Sequence, residues 1–353
     1  MDLTAPQPPL LVVVGSGGVG KTTLAAALGL RSAAAGHDTL VMTFDPSLRL
    51  KDALGVGDEA REREVRVAVD TPGGLWASLL DARLAFDSLV ARYAPDAASR
   101  DRILSNRYYR HLAGSLAGIL EYMAVERLYE TWTSGRFRRI VLDTPPTRQA
   151  LDFLQAPARI VGFLDSGAVR LALRPWFDPA GRLRATSRLG GLGRSFESWL
   201  DQVVGLALLR DMAEFFQAFE PLFAGFRERA LEVERLLRTA ETRFVLVAQP
   251  AEERVPDTLF FARRLREAGY ALGPVVVNQI HPRSTDPPPA PPDAGDGRRL
   301  LAWLGEQDAT GLAHLEALLG EDTLVPVPLL PREPTDLPSL DALGRLVERR
   351  MAG

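Results

Sequence analysis

Short apolar segments rich in β-branched residues alternate along the chain with longer segments whose apolar residues recur every three or four positions. The first pattern is typical of strands buried on both faces of a sheet, and the second is typical of amphipathic helices. Together they predict an α/β fold with a doubly wound, mostly parallel sheet. The predicted strands are Leu10–Val14, Thr39–Phe44, Val65–Val69, Arg139–Leu142, Phe244–Ala248, Pro274–Val277 and Thr323–Val327.

The stretch from about residue 150 to 243 has helical spacing and no convincing strand, and it is too long for a simple crossover between parallel strands. We therefore expect residues 1–149 and 240–353 to form the sheet domain. Residues 150–239 would be a helical insertion, with helices of about residues 100–134 packing nearby. The Pro-rich segment Arg283–Gly297 is expected to be a mobile surface loop.

A broad apolar stripe runs along the predicted insertion at spacings of three and four residues. Ordinary core packing and an exposed groove for a protein client are both open interpretations of it. Its members are Trp199, Val203, Leu206, Leu209, Met212, Phe216, Phe219, Phe223 and Phe226.

Composition narrows the possible functions. The 353 residues are 46% hydrophobic, no signal peptide is visible, and charges interrupt every apolar run before the roughly 18 to 20 residues that span a bilayer. We therefore expect a cytoplasmic protein without an integral membrane segment. The absence of cysteine excludes disulfides and thiolate metal sites, and the four histidines show no metal-ligand spacing. A net charge of −3 lacks the attraction of a dedicated nucleic-acid binder, so no nucleic acid is expected as a partner.

The clearest motif is GSGGVGKT at Gly15–Thr22, which matches G-x-x-x-x-G-K-[ST] between a predicted strand and a predicted helix. Its backbone N–H groups and the helix N-terminus are suited to binding phosphates. Lys21 is expected to bridge the β- and γ-phosphates of ATP, and Thr22 to offer its hydroxyl to Mg²⁺. The predicted nucleotide-binding residues here are Gly15, Ser16, Gly17, Gly18, Val19, Gly20, Lys21, Thr22 and Thr23.

Acidic residues follow two predicted strands, at the edge where parallel sheets bind ligands. Asp143 ends the run RRIVLD and is expected to reach Mg²⁺ as the Walker-B residue. Asp45 ends another strand, and Asp52 follows seven residues later in a predicted loop. Either carboxylate could position or deprotonate the attacking water. A turn-forming role for Asp45 and a helix N-cap for Asp52 are the structural alternatives.

Three segments together resemble the motifs of the ArsA-type ATPases, which include arsenite-pump subunits and the ATPases that deliver tail-anchored proteins. They are GSGGVGKTT, FDPSLRLKDALG and LDTPPTRQALDFL. Downstream, Val275–Pro282 and Val325–Leu340 are similar to the family's adenine-side segments. The resemblance implies a P-loop NTPase of the deviant Walker-A class that dimerises around ATP.

The resemblance also implies roles for individual residues. Asp52 corresponds to the water-activating Asp of the first switch, Asp143 to the Asp of the second switch, and Asn278 to the Asn that reads adenine. Pro328 belongs to the second adenine-side segment and is a further predicted nucleotide contact.

One departure from the family pattern concerns charge. Ser16 stands where the family's phosphate loop has a lysine that reaches across the dimer to the partner's nucleotide. Only two of the 42 basic residues are Lys, so bias alone would have placed Arg there, and a serine changes the chemistry. Hydrolysis is then expected to be slow or to need a partner that supplies the cation. Arg148 is a possible substitute or an ordinary surface residue.

The leading hypothesis is an ATP-hydrolysing switch. ATP would close a homodimer, or a heterodimer with a paralogous ATPase, and hydrolysis would reset the helical insertion's grip on a protein partner or hydrophobic client. The alternative is a nucleotide-binding regulatory subunit with little hydrolysis of its own. A positioning ATPase on DNA or membranes ranks lower, because the C-terminal segment Leu337–Gly353 is only weakly basic.

Overall fold

The computed structural model describes residues 8–45, 49–94, 96–105, 119–165, 223–283 and 297–352. The chain divides into two compact units. The first, called the sheet unit, comprises Met1–Leu80, Glu130–Asp152 and Arg235–Gly353, and the second, called the helical unit, comprises Asp81–Tyr129 and Phe153–Glu234. The predicted domain limits at residues 149/150 and 239/240 stay a prediction.

The sheet unit is built on one eight-stranded sheet in the order β3-β4-β2-β5-β1-β6-β7-β8. All neighbouring strands are parallel except β3 and β4. This confirms the predicted α/β fold with a doubly wound, mostly parallel sheet. The strands are β1 Leu10–Gly15, β2 Thr39–Thr43, β3 Val65–Arg66, β4 Leu75–Leu79, β5 Arg139–Asp143, β6 Thr242–Ala248, β7 Leu272–Ile280 and β8 Leu324–Pro328.

Ten α-helices lie in the described ranges, and a single-turn 3₁₀ helix at Asp58–Arg61 follows the second of them. The α-helices are α1 Lys21–Ala34, α2 Arg49–Leu54, α3 Ala82–Tyr93, α4 Ala97–Ser105, α5 Ile119–Thr133, α6 Thr147–Asp165, α7 Phe223–Arg238, α8 Val255–Glu267, α9 Gly297–Leu319 and α10 Leu337–Ala352. None of them is both long enough and apolar enough to cross a membrane.

The main hydrophobic core lies between the sheet and helices α1, α2 and α10. Alternate residues of the central strand, Leu11 and Val13, point into it, while the intervening residues of β1 are buried as well. Helices α8 and α9 pack against β6, β7 and β8. The central strands are therefore buried along their whole length, which explains why they are apolar without alternation.

Strand β4 was not predicted from the sequence. Its segment, LWASL, has no β-branched residue and follows two glycines, which are features typical of a loop. The strand forms because β2 offers an edge: the Thr39 N–H donates to the Gly74 carbonyl at 2.9 Å, and the Gly74 N–H donates to Asp38 Oδ1 at 2.8 Å. Strand β7, which lies between β6 and β8, runs three residues beyond its predicted end.

A buried polar cluster connects α5 and α7 in the helical unit. Arg229 Nε donates to Glu126 Oε2 at 2.6 Å, and the Tyr122 hydroxyl donates to Glu126 Oε1 at 2.9 Å. Burial raises the pKa of Tyr122 well above its usual value, and the Glu126 carboxylate raises it further. The ring of Phe226 packs edge-on against Tyr122 with centroids 5.1 Å apart.

The described residues include only part of the predicted apolar stripe and of the Pro-rich segment. Phe226, which belongs to the apolar stripe, is 3% exposed and so is a core residue. The stripe from Trp199 to Phe219 and residues 284–296 of the Pro-rich segment lie outside the described ranges, as do the side chains of Phe223 and Arg148.

Candidate nucleotide-binding site

The loop between β1 and α1 is shaped by its glycines. A side chain at Gly15 would place its Cβ 2.2 Å from the carbonyl oxygen of Val247 on the neighbouring strand. The backbone of Gly20 has a left-handed conformation, with φ 93°, and this residue is the N-cap of α1 without a side-chain hydrogen bond. The first-turn N–H groups of α1 therefore receive no side-chain acceptor from their cap, and donors of this kind bind phosphate at helix N-termini.

Lys21 is the cation of this loop. The residue is 6% exposed, and its Nζ donates to the Ser16 carbonyl oxygen at 2.8 Å. Burial lowers the pKa of Lys21, and Arg49 lowers it further, whereas the nearby carboxylates of Asp143 and Asp45 raise it. The ammonium thus lies within the electrostatic reach of two carboxylates and one guanidinium.

Asp143 connects the ends of two strands to the start of α1. It pairs in register with Thr43 of β2 and Val13 of β1. Its Oδ2 accepts hydrogen bonds from Thr22 Oγ1 at 2.8 Å and from Thr43 Oγ1 at 2.9 Å. Burial raises the pKa of the Asp143 carboxyl to about 6, although both hydroxyls and the Lys21 ammonium favour the charged form.

The oxygen atoms of this network fit a magnesium ion. Asp143 Oδ1 is buried and has no hydrogen-bond partner among the described residues. The Thr22 hydroxyl uses its proton on Asp143, so its lone pairs remain for a cation. Hydroxyl and carboxylate oxygens are the hard ligands that Mg²⁺ prefers.

A cavity of about 480 Å³ lies beside this network in the sheet unit. Eight of its residues were predicted from the sequence to bind nucleotide or act in catalysis, and they are Gly18, Gly20, Lys21, Thr22, Thr23, Asp45, Asn278 and Pro328. It is also lined by Arg49, Pro146, Gln279, Leu329, Leu330, Arg332, Glu333, Pro334 and Leu343. The other predicted residues, Gly15, Ser16, Gly17, Val19, Asp52 and Asp143, are not in its lining.

Two strand ends form the side of the cavity predicted to hold adenine. Asn278, near the end of β7, donates from Nδ2 to the Val19 carbonyl oxygen at 2.9 Å. A Cβ at Gly20 would lie only 2.5 Å from that amide nitrogen, so the strand and the phosphate loop are in close contact. The Leu329 N–H donates to the Ile280 carbonyl at 2.7 Å and joins the two strand ends.

A histidine and an aspartate fix the chain just beyond β7. The backbone N–H of His281 donates to Asp308 Oδ2 at 2.7 Å, and Nδ1 of the same histidine lies 2.7 Å from that oxygen. Asp308 is 4% exposed on α9. Sequence spacing gave no sign of this pair, because its two residues are 27 positions apart.

The segment after β2 differs from its prediction. Asp52 lies in helix α2 and not in a loop, and it is exposed. The helix forms because Leu50 and Leu54, four positions apart, are both buried in the main core. Arg49, at the start of the same helix, lines the cavity. Residues 46–48 lie outside the described ranges.

Sequence reasoning missed Thr43 and Arg49 at the site. Thr43 is the next-to-last residue of the predicted strand Thr39–Phe44, and a hydroxyl near the end of that strand was the available signal. For Arg49 there was little signal, because the chain has 40 arginines and one exposed arginine resembles any other.

Comparison with known proteins gives consistent matches. A family model described as anion-transporting ATPase matches residues 9–348. The ATPase ARSA1 of Chlamydomonas reinhardtii is 26% identical over 377 aligned residues, which cover 97% of this chain and 43% of that protein. The ATPase GET3B of Arabidopsis thaliana is 28% identical, with 94% of this chain and 77% of that protein covered. Protein Rv2184c of Mycobacterium tuberculosis is 29% identical, with 98% and 77% covered. The chain thus spans less than half the length of the Chlamydomonas relative.

Proposed function

Because this chain belongs to the family of anion-transporting ATPases, we propose that it is a dimeric switch driven by the hydrolysis of ATP. ATP with Mg²⁺ would favour association with a second copy or with a paralogous ATPase. The nucleotide state would control the binding of a protein partner, such as a hydrophobic client, by the helical unit. We propose a cytoplasmic location.

One observation carries the nucleotide part of the proposal: the buried Asp143 carboxylate, with one oxygen bonded to Thr22 and Thr43 and the other unpartnered among the described residues. This arrangement leaves oxygen ligands for a cation at the start of α1. A magnesium ion held by Thr22 and Asp143 would neutralise charge on the β- and γ-phosphates.

The remaining residues bind and orient the substrate. The loop N–H groups and Lys21 would bind the phosphates, while Asn278 and Pro328 would contact the base. Of the two acidic residues predicted to act on water, Asp45 lines the cavity and is the better placed in the described conformation. Asp52 is supported by the family resemblance. Both assignments stay predictions.

Nucleotide-dependent association tests the switch. We would measure the mass of the purified chain by light scattering without nucleotide, with ADP and with ATP plus Mg²⁺, alone and with a co-purified paralogue. The proposal expects a mass increase with ATP that Lys21→Ala abolishes. An unchanged mass in every condition would exclude the switch.

The second candidate function is a nucleotide-binding regulatory subunit, and the observation that favours it is Ser16. The Ser16 carbonyl accepts the bond from Lys21, but its side chain adds no positive charge to the loop. Turnover of the purified chain separates the two functions. An active switch hydrolyses ATP alone or with its partner, and Ser16→Lys should raise the rate. A regulatory subunit binds ATP without measurable turnover, both as the wild type and as the Ser16→Lys variant.

A further inference from the structure

Arg49 is fixed at the edge of the nucleotide cavity by the helix that it begins. Its neighbour Leu50 is 0% exposed and Leu54 is 1% exposed, and both belong to the core that includes α1. Helix α2 also packs against β4. The backbone of Arg49 is therefore anchored, while its side chain is exposed and lines the cavity together with Lys21 and Asp45.

The guanidinium of Arg49 has no hydrogen bond or ion pair to any residue in the described part of the chain. Two cations outside the cavity lining are paired. Lys51 is two positions further along the same helix, and its Nζ lies 2.5 Å from Asp58 Oδ1. Arg31 of α1 forms salt bridges with Asp341 and Glu348. Helix α2 thus places one paired cation outside the cavity lining and one unpaired cation within it.

Arg49 and Lys21 also influence each other electrostatically. After burial, which is the largest cause, the positive charge of Arg49 lowers the pKa of Lys21. Two cations that face one cavity repel each other, and an anion bound between them removes that repulsion. A guanidinium is always charged and matches phosphate oxygens with two parallel donors. The part of the cavity next to Arg49 and Lys21 is therefore suited to a ligand group with several negatively charged oxygens.

We propose that Arg49 is a catalytic residue whose guanidinium binds the γ-phosphate of ATP and stabilises the negative charge that develops there during hydrolysis. This inference rests on the proposed ATPase function. In the reaction, the water oxygen bonds to the γ-phosphorus, and the bond from that phosphorus to the β,γ-bridging oxygen breaks with its electron pair remaining on ADP. One water proton stays on the released phosphate and the other passes to solvent.

The position of Arg49 in the same chain as its phosphate loop has a mechanistic consequence. A cation supplied by the chain itself acts without a partner subunit. Arginines that contact a transferring phosphoryl group are worth about 10³ to 10⁵ in turnover, whether they come from the same chain or another. Arg49 would therefore provide positive charge in cis, at a site where the side chain of Ser16 provides none.

Four forms of the full chain test the assignment: wild type, Arg49→Ala, Arg49→Lys and Lys51→Ala. The last removes a cation from the same helix outside the cavity lining. We would measure turnover and the dissociation constant of fluorescent ADP. We would also measure the dissociation constant of fluorescent ADP in the presence of Mg²⁺ and aluminium fluoride, which mimics the phosphoryl group in the transition state. Arg49→Ala should lower turnover at least about 100-fold and weaken the aluminium fluoride complex similarly. ADP affinity should stay within about threefold, and Arg49→Lys should recover part of the loss.

The assignment is overturned if Arg49→Ala keeps turnover and aluminium fluoride binding within about threefold of wild type, or if its ADP affinity falls as much as its turnover. A similar loss in Lys51→Ala would also overturn it, because the effect would then belong to the helix. Should wild-type turnover be too slow to measure, the ratio of the two dissociation constants decides alone. Failure of the wild type to bind ATP contradicts the proposed function itself, which separates that result from the others.

Discussion

The buried carboxyl of Asp143 should give the protein a distinctive dependence of stability on pH. In the folded chain its pKa is raised to about 6, against an ordinary value of 3.8, with burial as the main cause. Between these two values the folded state holds a proton that the unfolded state has released. The free energy of unfolding therefore falls as pH rises through this window, because ionisation then favours the unfolded chain.

The expected size follows from the two pKa values. A difference of roughly two units corresponds to about 3 kcal/mol, and roughly half of that is lost between pH 5 and pH 8. Asp143→Asn keeps an oxygen that accepts from Thr22 and Thr43 but cannot ionise. Relative to wild type, this variant should gain stability as pH rises and level off above about pH 7.

Urea unfolding of both proteins without nucleotide or Mg²⁺, at half-unit steps from pH 4.5 to 8, would measure the difference. Asp70→Asn, a substitution at an exposed aspartate, is the control for the loss of one negative charge. Parallel curves for wild type and Asp143→Asn, within about 0.5 kcal/mol across the range, would refute the reasoning. With Mg²⁺ and ATP present the wild type should be the more stable of the two proteins, since the ion favours the charged carboxylate that the variant lacks.

Three further predictions concern packing and buried pairs. Gly311→Ala should destabilise the fold by about 3 kcal/mol or more, because its Cβ would lie 1.7 Å from a backbone carbonyl oxygen, whereas Gly162→Ala, at an open helical position, should stabilise it by up to about 1 kcal/mol. Thermal midpoints of the two variants check both signs. Glu126→Ala should cost about 3 to 5 kcal/mol, since it leaves the Arg229 guanidinium buried without its carboxylate, and adding Arg229→Met should recover part of the loss in urea unfolding. Asp308→Ala should cost about 2 kcal/mol by leaving two donors beyond β7 without their acceptor, and a normal unfolding midpoint would contradict this.

The parts of the fold that the sequence predicted are those in which local pattern and burial agree. Strands β1, β5 and β6 are apolar on both faces, and they were predicted to within two residues at each end. Strand β4 was missed because its residues have no strong preference, and a neighbouring strand decides their conformation. Local propensity cannot report such a tertiary effect.

The candidate site shows the same division. A residue within a contiguous motif, such as Lys21 or Thr22, can be predicted because the chemistry and the spacing are both local. Thr43 and Asp143 are 100 positions apart, and only the order β2-β5-β1 brings their oxygens within 2.9 Å. The contact of Asn278 with the Val19 carbonyl likewise depends on the strand order.

Helix α2 gives Asp52 and Arg49 different directions, and this difference can be tested. Leu50 and Leu54 define the buried face, and Asp52, about 200° around the helix from Leu50, points to solvent. Moving Asp52 to the γ-phosphate requires α2 to leave its two leucine contacts, at a cost of about 1.5 to 3 kcal/mol for each leucine exposed. In the proposed switch, ATP-dependent association would supply that free energy, whereas Arg49 already lines the cavity.

Asp52→Asn should therefore lower turnover only at protein concentrations at which the chain associates, while Arg49→Ala should lower it at every concentration. Turnover per chain measured across the association midpoint, with light scattering on the same samples, distinguishes the two. A constant factor for Asp52→Asn at all concentrations would mean that α2 rearranges within the isolated chain, so the leucine contacts would be weaker than their burial indicates.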